Sequence, residues 1–377
     1  MPWKVTPMSE LRKVLVHQVL TLKRPMAEVC REHGVSRKTG YKWLVRHRLA
    51  PDQPLTDQSR RPVNSPRRTP DQLAAKVAAV RRQYRWGARK IRAYLAAQGA
   101  VLPTTKTVHE VLRRQGLLTP PTDDPAPPQR FVRSQPNELW QCDHKGPLEI
   151  ARQKVYPLSV LDDHSRFLLA LEACLDVTMK TAFDVLWNVF GEYGLPDGIL
   201  CDNAFGTNFS VPKTPSWFDA QLIRLGIQPL HGKPYHPQTQ GKVERLHGTL
   251  EREVWPFVRR DALDHFAEDT RHWRSEIYNL VRPHEALADR PPVALYRPSL
   301  RRRPTRMPAV EYPAGSVLRK VSGNGEVFWK NNRILAGNGL AGEYVRIEER
   351  DCEIALFYCW KEVRRLAHDQ LRGDKIV

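Results

Sequence analysis

Three acidic residues in the middle of the chain fall where predicted secondary-structure elements end or begin, so that they could face one site. Asp143 closes one predicted strand, Asp202 ends another, and Glu244 lies in the first turn of a predicted helix. Carboxylate oxygens are the ligands that hard divalent ions such as Mg²⁺ and Mn²⁺ prefer. Two such ions about 3.5–4 Å apart can activate an attacking oxygen and stabilise the leaving oxygen of a phosphodiester. The pattern predicts a site for phosphodiester chemistry, and three ordinary solvated carboxylates are the alternative.

The region that contains these residues alternates between strand and helix patterns. Apolar runs predict strands at 138–143, 155–161, 166–172 and 198–201, and helices at 178–193, 217–225 and from about 240 toward 255. Strands first, and then helices alternating with strands, indicate a mixed sheet flanked by helices. Asp162 and Asp163 occupy a polar turn between two of the strands. We expect them to shape a hairpin, with a metal contact as the alternative.

Most of the positive charge lies ahead of this region. The chain has 377 residues and a net charge of +19, and residues 1–135 hold 27 Lys and Arg against 9 Asp and Glu, whereas the rest holds 33 against 32. Because the basic residues interleave with apolar helical periods, they indicate a nucleic-acid-binding arm rather than a basic solubility tail. The six cysteines show no C-x-x-C spacing, which argues against a disulfide framework and a zinc site.

The first part of this arm has a helix-turn-helix pattern. Predicted helices at 26–32 and 37–47 flank a turn with Gly34 and an N-cap Ser. In such a module the second helix enters the major groove. The predicted DNA contacts are Ser36, Arg37, Lys38, Thr39, Lys42 and Arg46. A plain helical hairpin with a solvated basic face is the alternative, and Gly40 departs from the pattern because a helix interior disfavours Gly.

Three more helices are predicted at 71–84, 88–98 and 105–115, from apolar residues at spacings of three and four. The outward side of the third helix is again basic, with Lys106, Arg113 and Arg114 as predicted DNA contacts. One helical unit reads only a few base pairs, so a longer recognition sequence requires tandem modules. We interpret this segment as a second DNA-binding module.

Stretches rich in Pro and Arg divide the chain, because helices and central strands do not tolerate several prolines. The predicted division is a helix-turn-helix domain (1–50), a basic linker (51–70), a second helix-turn-helix domain (71–118), a Pro-rich linker (119–137), the strand-and-helix core (138–290), a basic Pro-rich linker (291–313) and a C-terminal domain (314–377). Short strands and an Asn-Gly turn predict a small β-barrel in the last of these. Its exposed basic residues could bind DNA or a partner subunit, and an inert stabilising cap is the alternative.

Several strings of residues resemble the integrase catalytic core. They are Trp140-Gln141-Cys142-Asp143, Leu161-Asp162-Asp163-His164-Ser165-Arg166, Cys201-Asp202-Asn203 and Pro234-Tyr235-His236-Pro237-Gln238-Thr239-Gln240-Gly241-Lys242-Val243-Glu244-Arg245. Further on, Tyr278-Asn279-Leu280-Val281-Arg282-Pro283-His284-Glu285-Ala286-Leu287 resembles the stretch that follows this core in the related transposases. The chain resembles bacterial insertion-sequence transposases of the DDE class and, more distantly, retroviral integrases. The string Arg85-Trp86-Gly87-Ala88-Arg89-Lys90-Ile91 in the second helical module also fits this family.

The resemblance implies a multidomain α/β protein with a ribonuclease-H-like mixed-sheet core, preceded by tandem helix-turn-helix modules and followed by a small β-barrel. It also implies that Asp143, Asp202 and Glu244 are the catalytic residues and hold two Mg²⁺, for which Mn²⁺ substitutes. The further DNA contacts predicted from position are Arg89, Lys90, Lys242 and Arg245. Two positions depart from the family pattern: Ala204 replaces a usual Gly, and Gly248 stands where a basic residue is common.

The resulting hypothesis is a transposase that binds the terminal inverted repeats of its mobile element and performs 3′-end nicking and strand transfer. Its partners would be double-stranded DNA and further copies of itself, in a dimer or higher synaptic complex. A catalytically silent, transposase-derived repressor and a nuclease for RNA–DNA hybrids are the alternatives. No apolar run approaches the roughly 18–20 residues that span a bilayer, and no secretory signal is evident, so we expect a cytoplasmic, nucleoid-associated bacterial protein.

Overall fold

The computed structural model of the protein describes residues 7–57, 68–118, 132–202, 214–232 and 241–372. The chain forms two compact units, residues 1–68 and residues 69–377. Every helix in the described ranges is too short or too polar to span a bilayer.

The first unit is a three-helix module with helices α1 (Met8–Leu20), α2 (Met26–Glu32) and α3 (Arg37–Leu49). Gly34 makes the turn before α3 at a φ of +62°, and the Ser36 hydroxyl caps α3 by accepting a hydrogen bond from the Thr39 amide at 3.2 Å. Gly40 lies where α2 and α3 cross, because a Cβ there would stand 2.5 Å from the Cys30 sulfur. The glycine that departs from the sequence pattern is therefore required by close helix packing.

The second unit begins with another three-helix module, α4 (Asp71–Tyr84), α5 (Ala88–Ala97) and α6 (Thr105–Arg114). Its core is apolar and includes a stack of aromatic rings, with the Tyr84 and Trp86 centroids 4.4 Å apart. These bounds agree with the predicted helices to within one residue at every end.

The centre of the second unit is a mixed sheet with the strands β1 (Trp140–His144), β2 (Leu148–Ile150), β3 (Gln153–Asp162), β4 (Leu168–Cys174), β5 (Gly198–Cys201) and β6 (Gln228–His231). The strand order is β2-β3-β1-β5-β6, with β4 paired to β3. The first four strands pair antiparallel, whereas β1, β5 and β6 run parallel. This is the predicted ribonuclease-H-like mixed sheet, which is confirmed.

Helices cover both faces of this sheet. The helices α7 (Met179–Tyr193) and α8 (Trp217–Arg224) bury one face, and α9 (Gly241–Glu253) and α10 (Leu263–His272) bury the other. A π-helical turn, Trp273–Asn279, continues α10. The strands β2 and β6 and the helix α10 were not predicted.

The C-terminal region forms two antiparallel sheets over one apolar core. The strands are β7 (Val317–Lys320), β8 (Glu326–Trp329), β9 (Asn332–Leu335), β10 (Tyr344–Arg350), β11 (Glu353–Tyr358) and β12 (Lys361–Ala367). One sheet has the order β12-β11-β10-β7, and β8 and β9 form a hairpin. Ala220 and Ile223 of α8 are part of the same core, and the Trp360 indole donates to the Ile223 carbonyl at 2.8 Å. The C-terminal sheets are thereby fixed to the central domain.

Candidate active site and DNA-binding surfaces

Two of the three predicted carboxylates lie at one edge of the central sheet. Asp143 is the fourth residue of β1, and Asp202 directly follows β5. The two strands are parallel neighbours, with Cys142 opposite Cys201. Because the carboxyl ends of parallel strands meet at the same edge, the register places Asp143 and Asp202 side by side.

Glu244 comes to this edge on α9, which packs against β1. The apolar face of α9 is buried through Val243, Leu246 and Leu250, so that Glu244 is left exposed. The start of the helix is held by an ion pair, in which Lys242 Nζ lies 2.5 Å from the Asp163 carboxylate.

Asp163 is fully buried and has the structural role that the sequence predicted for it. Besides the ion pair with Lys242, it accepts hydrogen bonds from the Gln141 side chain and the Arg133 amide, both at 2.8 Å. Asp162 caps the hairpin turn by accepting a 2.7 Å hydrogen bond from the Ser165 amide. The Lys242 ammonium anchors α9 to this hairpin, and its predicted contact with DNA stays a prediction.

Burial and the neighbouring carboxylates act on the pKa of Asp143. Burial, followed by the negative charges of Asp202 and Glu244, raises the pKa of Asp143 to about 7. His247 Nδ1 lies 3.8 Å from Asp143, but burial lowers the pKa of this imidazole to about 4, so at neutral pH it adds no positive charge. The Lys145 ammonium is paired with Glu251 at 2.7 Å. The charge of Asp143 is thus only weakly compensated by neighbouring cations.

This donor set fits divalent metal ions by its chemistry, since carboxylate oxygens with excess negative charge are what Mg²⁺ binds. Among the described residues, no three His, Cys, Asp or Glu side chains lie close enough together to form a ready-made metal-binding group. Arg245 is exposed on α9, next to Glu244. Asn203, Ala204, His236 and Gln240 lie outside the described residues.

The predicted DNA contacts of α3 divide into two groups. Arg37 and Lys38 are exposed at the start of the helix, where Ser36 and Thr39 form its cap. Lys42 and Arg46 instead lie along the face of Trp43, at 4.6 and 4.9 Å from the ring centre. Lys42 is also 4.0 Å from Asp57, and Arg46 donates to the Thr56 carbonyl at 3.3 Å. The second group therefore also contacts the module itself, and its predicted contacts with DNA stay predictions.

An apolar stripe on α3 was not among the residues predicted from the sequence. Tyr41, Val45 and Leu49 are 48%, 51% and 81% exposed and recur every four residues along one side of the helix. The signal was in the sequence, because a spacing of four residues places all three on one helical face. They lie on the same helix as Arg37 and Lys38, which makes this an amphipathic contact surface.

In the second module, Lys106, Arg113 and Arg114 are exposed on α6, with Arg113 paired to Glu110 at 2.7 Å. Arg89 and Lys90 differ from their predicted placement, because both contact acidic residues of the central domain. Arg89 pairs with Glu285 and Asp289, and Lys90 pairs with Glu253. Both side chains therefore form a docking contact within the chain, and their role as DNA contacts stays a prediction.

Comparison with known families agrees with this architecture. An integrase core domain model matches residues 133–237, a second integrase core domain model matches residues 225–292, and a homeodomain-like domain model matches residues 39–112. Curated relatives include the Gag-Pro-Pol polyproteins of Mason-Pfizer monkey virus, 34% identical over 119 residues, and of Simian retrovirus SRV-2, 36% identical over 119 residues. Each match covers 32% of this chain and only 6% of the polyprotein.

Two solved structures are also similar. One is the simian T-cell lymphotropic virus intasome in complex with PP2A regulatory subunit B56 gamma, at 16% identity and a TM-score of 0.36, covering 77% of this chain and 98% of that chain. The other is the HTLV-2 integrase catalytic core domain in complex with magnesium, at 16% identity and a TM-score of 0.32, covering 44% and 99%.

The chain thus carries an integrase core domain together with a homeodomain-like helix-turn-helix region. This combination relates the chain to the retroviral integrase superfamily. The bacterial origin expected from the sequence stays a prediction.

Proposed function

We propose that this protein is a DNA transposase that binds the terminal inverted repeats of a mobile element and catalyses metal-dependent 3′-end nicking and strand transfer. The observation that supports this most directly is that Asp143 and Asp202 lie side by side at the ends of parallel strands in an integrase core sheet, with Glu244 on the helix packed against β1.

Asp143, Asp202 and Glu244 would hold two Mg²⁺. When bound, these ions would activate the attacking hydroxyl and neutralise charge on the transferring phosphate. The chain's own contribution is to position the ligands. The Lys242–Asp163 ion pair fixes the first turn of α9, and the β1–β5 register fixes the spacing of the two aspartates.

DNA recognition would begin with the exposed side of α3. Arg37 and Lys38 would contact phosphates, which position a protein on the duplex without reading its sequence. Tyr41 and Val45 would contact base edges, where apolar groups recognise the thymine methyl. Lys106 and Arg114 of α6 would provide a second set of phosphate contacts. Because two element ends must be joined, we expect a dimer or a higher synaptic complex.

A strand-transfer assay on labelled element ends with Mg²⁺ tests this proposal. The variant Glu244→Gln keeps the side-chain size and removes the charge, and Glu268→Gln, at an exposed ion pair on α10, is the matched control. We expect joined products from the wild type and the control only, while all three proteins bind the ends. End binding without product from the wild type would favour the repressor alternative, and equal product from Glu244→Gln would refute the assigned site.

A further inference from the structure

Residues 85–91 and residues 278–287, two strings of the family resemblance that lie outside the carboxylate site, are bound to each other. Arg89 pairs with Glu285 at 2.6 Å and with Asp289 at 3.1 Å. Ile277 and Val281 pack into the apolar core of the second helical module. Residues 277–289 therefore form the surface on which this module docks.

Glu253, at the C-terminal end of α9, lies at the centre of this contact. Arg282 donates two hydrogen bonds to its carboxylate, both at 2.8 Å, and Lys90 and the Trp86 indole donate at 2.9 and 3.2 Å. The side chains of Glu253 and Arg282 are only 9% and 6% exposed. One carboxylate thus accepts from two donors of the module and from the central domain.

The charge state of Glu253 agrees with this arrangement. Burial alone would raise the pKa of the carboxyl group, but the hydrogen bonds and charges of Arg282 and Lys90 outweigh burial and lower it to about 2. Arg282 is held in turn by Thr249, whose hydroxyl lies 3.4 Å away, and it lies 5.5 Å from the Tyr278 ring centre. Glu253 is therefore ionised and fully engaged at neutral pH.

Glu253 and Glu244 belong to the same helix, nine residues apart, which corresponds to about 14 Å along the axis. A helix of this kind transmits position rigidly between its ends. We propose that Glu253 is a positioning residue that fixes the second helical module relative to Glu244, and so sets where DNA is cut relative to the bound repeat. This inference rests on the proposed transposase function.

The test uses the full chain and two variants that approach the contact from opposite sides. Glu253→Gln keeps the shape and removes the charge. Lys90→Met removes one donor of the module and leaves the buried Glu253–Arg282 pair intact, so that the core keeps its own contacts. Glu268→Gln is the control, because Glu268 is exposed and lies on α10 outside this contact.

The first measurement is amide hydrogen exchange by mass spectrometry. We expect faster exchange in α5, residues 88–97, of both variants, with β1 and β3 unchanged. The second measurement maps nick positions on labelled ends at nucleotide resolution. We expect a single position for the wild type and the control, and several neighbouring positions for the variants, with about 10²-fold less product at the original position, as a misplacement of about 1 Å can cause.

Loss of product with an unchanged cut position is what reduced stability alone would give, and it would overturn the positioning role. Unchanged exchange in α5 together with wild-type cutting would also overturn it, while leaving the proposed transposase function intact. A wild type that cuts no DNA would refute that function instead, and the exchange data would still decide whether Glu253 holds the module.

Discussion

The two helical modules have the same sequence pattern, three short helices with apolar spacing and many basic residues, yet the structure uses their charges differently. The module of α1 to α3 belongs to a compact unit of its own and exposes Arg37 and Lys38 beside an apolar stripe. The module of α4 to α6 is docked on the central domain, where Arg89 and Lys90 form ion pairs with carboxylates. A basic residue in such a module is therefore better evidence for DNA binding when no acidic side chain within the chain neutralises it.

Removing the docking contact should have the largest effect on the difference between the two modules. Glu253→Ala leaves Arg282 buried without its partner, a change that typically costs about 3–5 kcal/mol. We expect the unfolding transition of the second unit to shift to lower denaturant concentration, with the first unit unaffected. Chemical denaturation, with hydrogen exchange used to monitor each unit separately, checks this. The exposed Glu268→Ala is the control, and an equally small shift for both variants would show that the contact does not stabilise the unit.

The same carboxylate predicts a pH dependence. Glu253 has a folded-state pKa of about 2 against an ordinary value of 4.5. A carboxyl group whose pKa is lower in the folded state than in the unfolded state stabilises the fold above its unfolded pKa. This stabilisation is lost as the pH falls through the folded pKa, and for Glu253 it amounts to about 3 kcal/mol. We expect the free energy of unfolding of the wild type to fall between about pH 4.5 and pH 2, and to fall less steeply in Glu253→Gln. Parallel curves for the two proteins would contradict this.

The apolar stripe on α3 leads to a prediction that DNA bases are recognised by apolar contact. If Tyr41 covers a thymine methyl, replacing that thymine by deoxyuridine removes one buried carbon group, worth about 0.8 kcal/mol or roughly fourfold in affinity. Tyr41→Ala should weaken binding and abolish the response to deoxyuridine at that position. Binding titrations on singly substituted repeats measure both. A wild-type affinity that is indifferent to every thymine methyl would refute this role.

The smallest predicted effect separates the two modules by their salt dependence. Lys38→Ala removes one phosphate contact, which should lower the slope of log affinity against log salt by about 0.9. Lys90→Met should leave the slope unchanged, because its ammonium is paired with Glu253. Titrations between 50 and 200 mM salt, roughly the range over which such slopes are measured, distinguish the two. Equal losses of slope would mean that Lys90 also faces DNA.

Much of this molecule was predictable from local patterns. The predicted strand ends gave the positions of Asp143 and Asp202, because apolar runs that end in a single acidic residue are read from periodicity alone. The edge strand β6 was missed because Pro229 argues against a strand, although an edge position tolerates it.

Other features depend on contacts that no local pattern contains. The requirement for Gly40 follows from the approach of Cys30 and Met26 across two helices. The docking of Trp86 and Lys90 joins residues more than 160 positions apart, and local periodicity carries no information on such pairing. The division into domains, the catalytic role of the carboxylates and the DNA contacts stay predictions.

The most direct test of the central claim is strand transfer with and without divalent metal, measured beside end binding on the same labelled DNA. We expect chelation to abolish the joined product and Mg²⁺ to restore it for the wild type. We expect no restoration for Asp143→Asn, which should still bind the ends. Several kcal/mol of charge stabilisation are at stake, so the loss should be roughly 10³-fold. Joined product that persists in the chelated wild type, or in Asp143→Asn, would contradict the account.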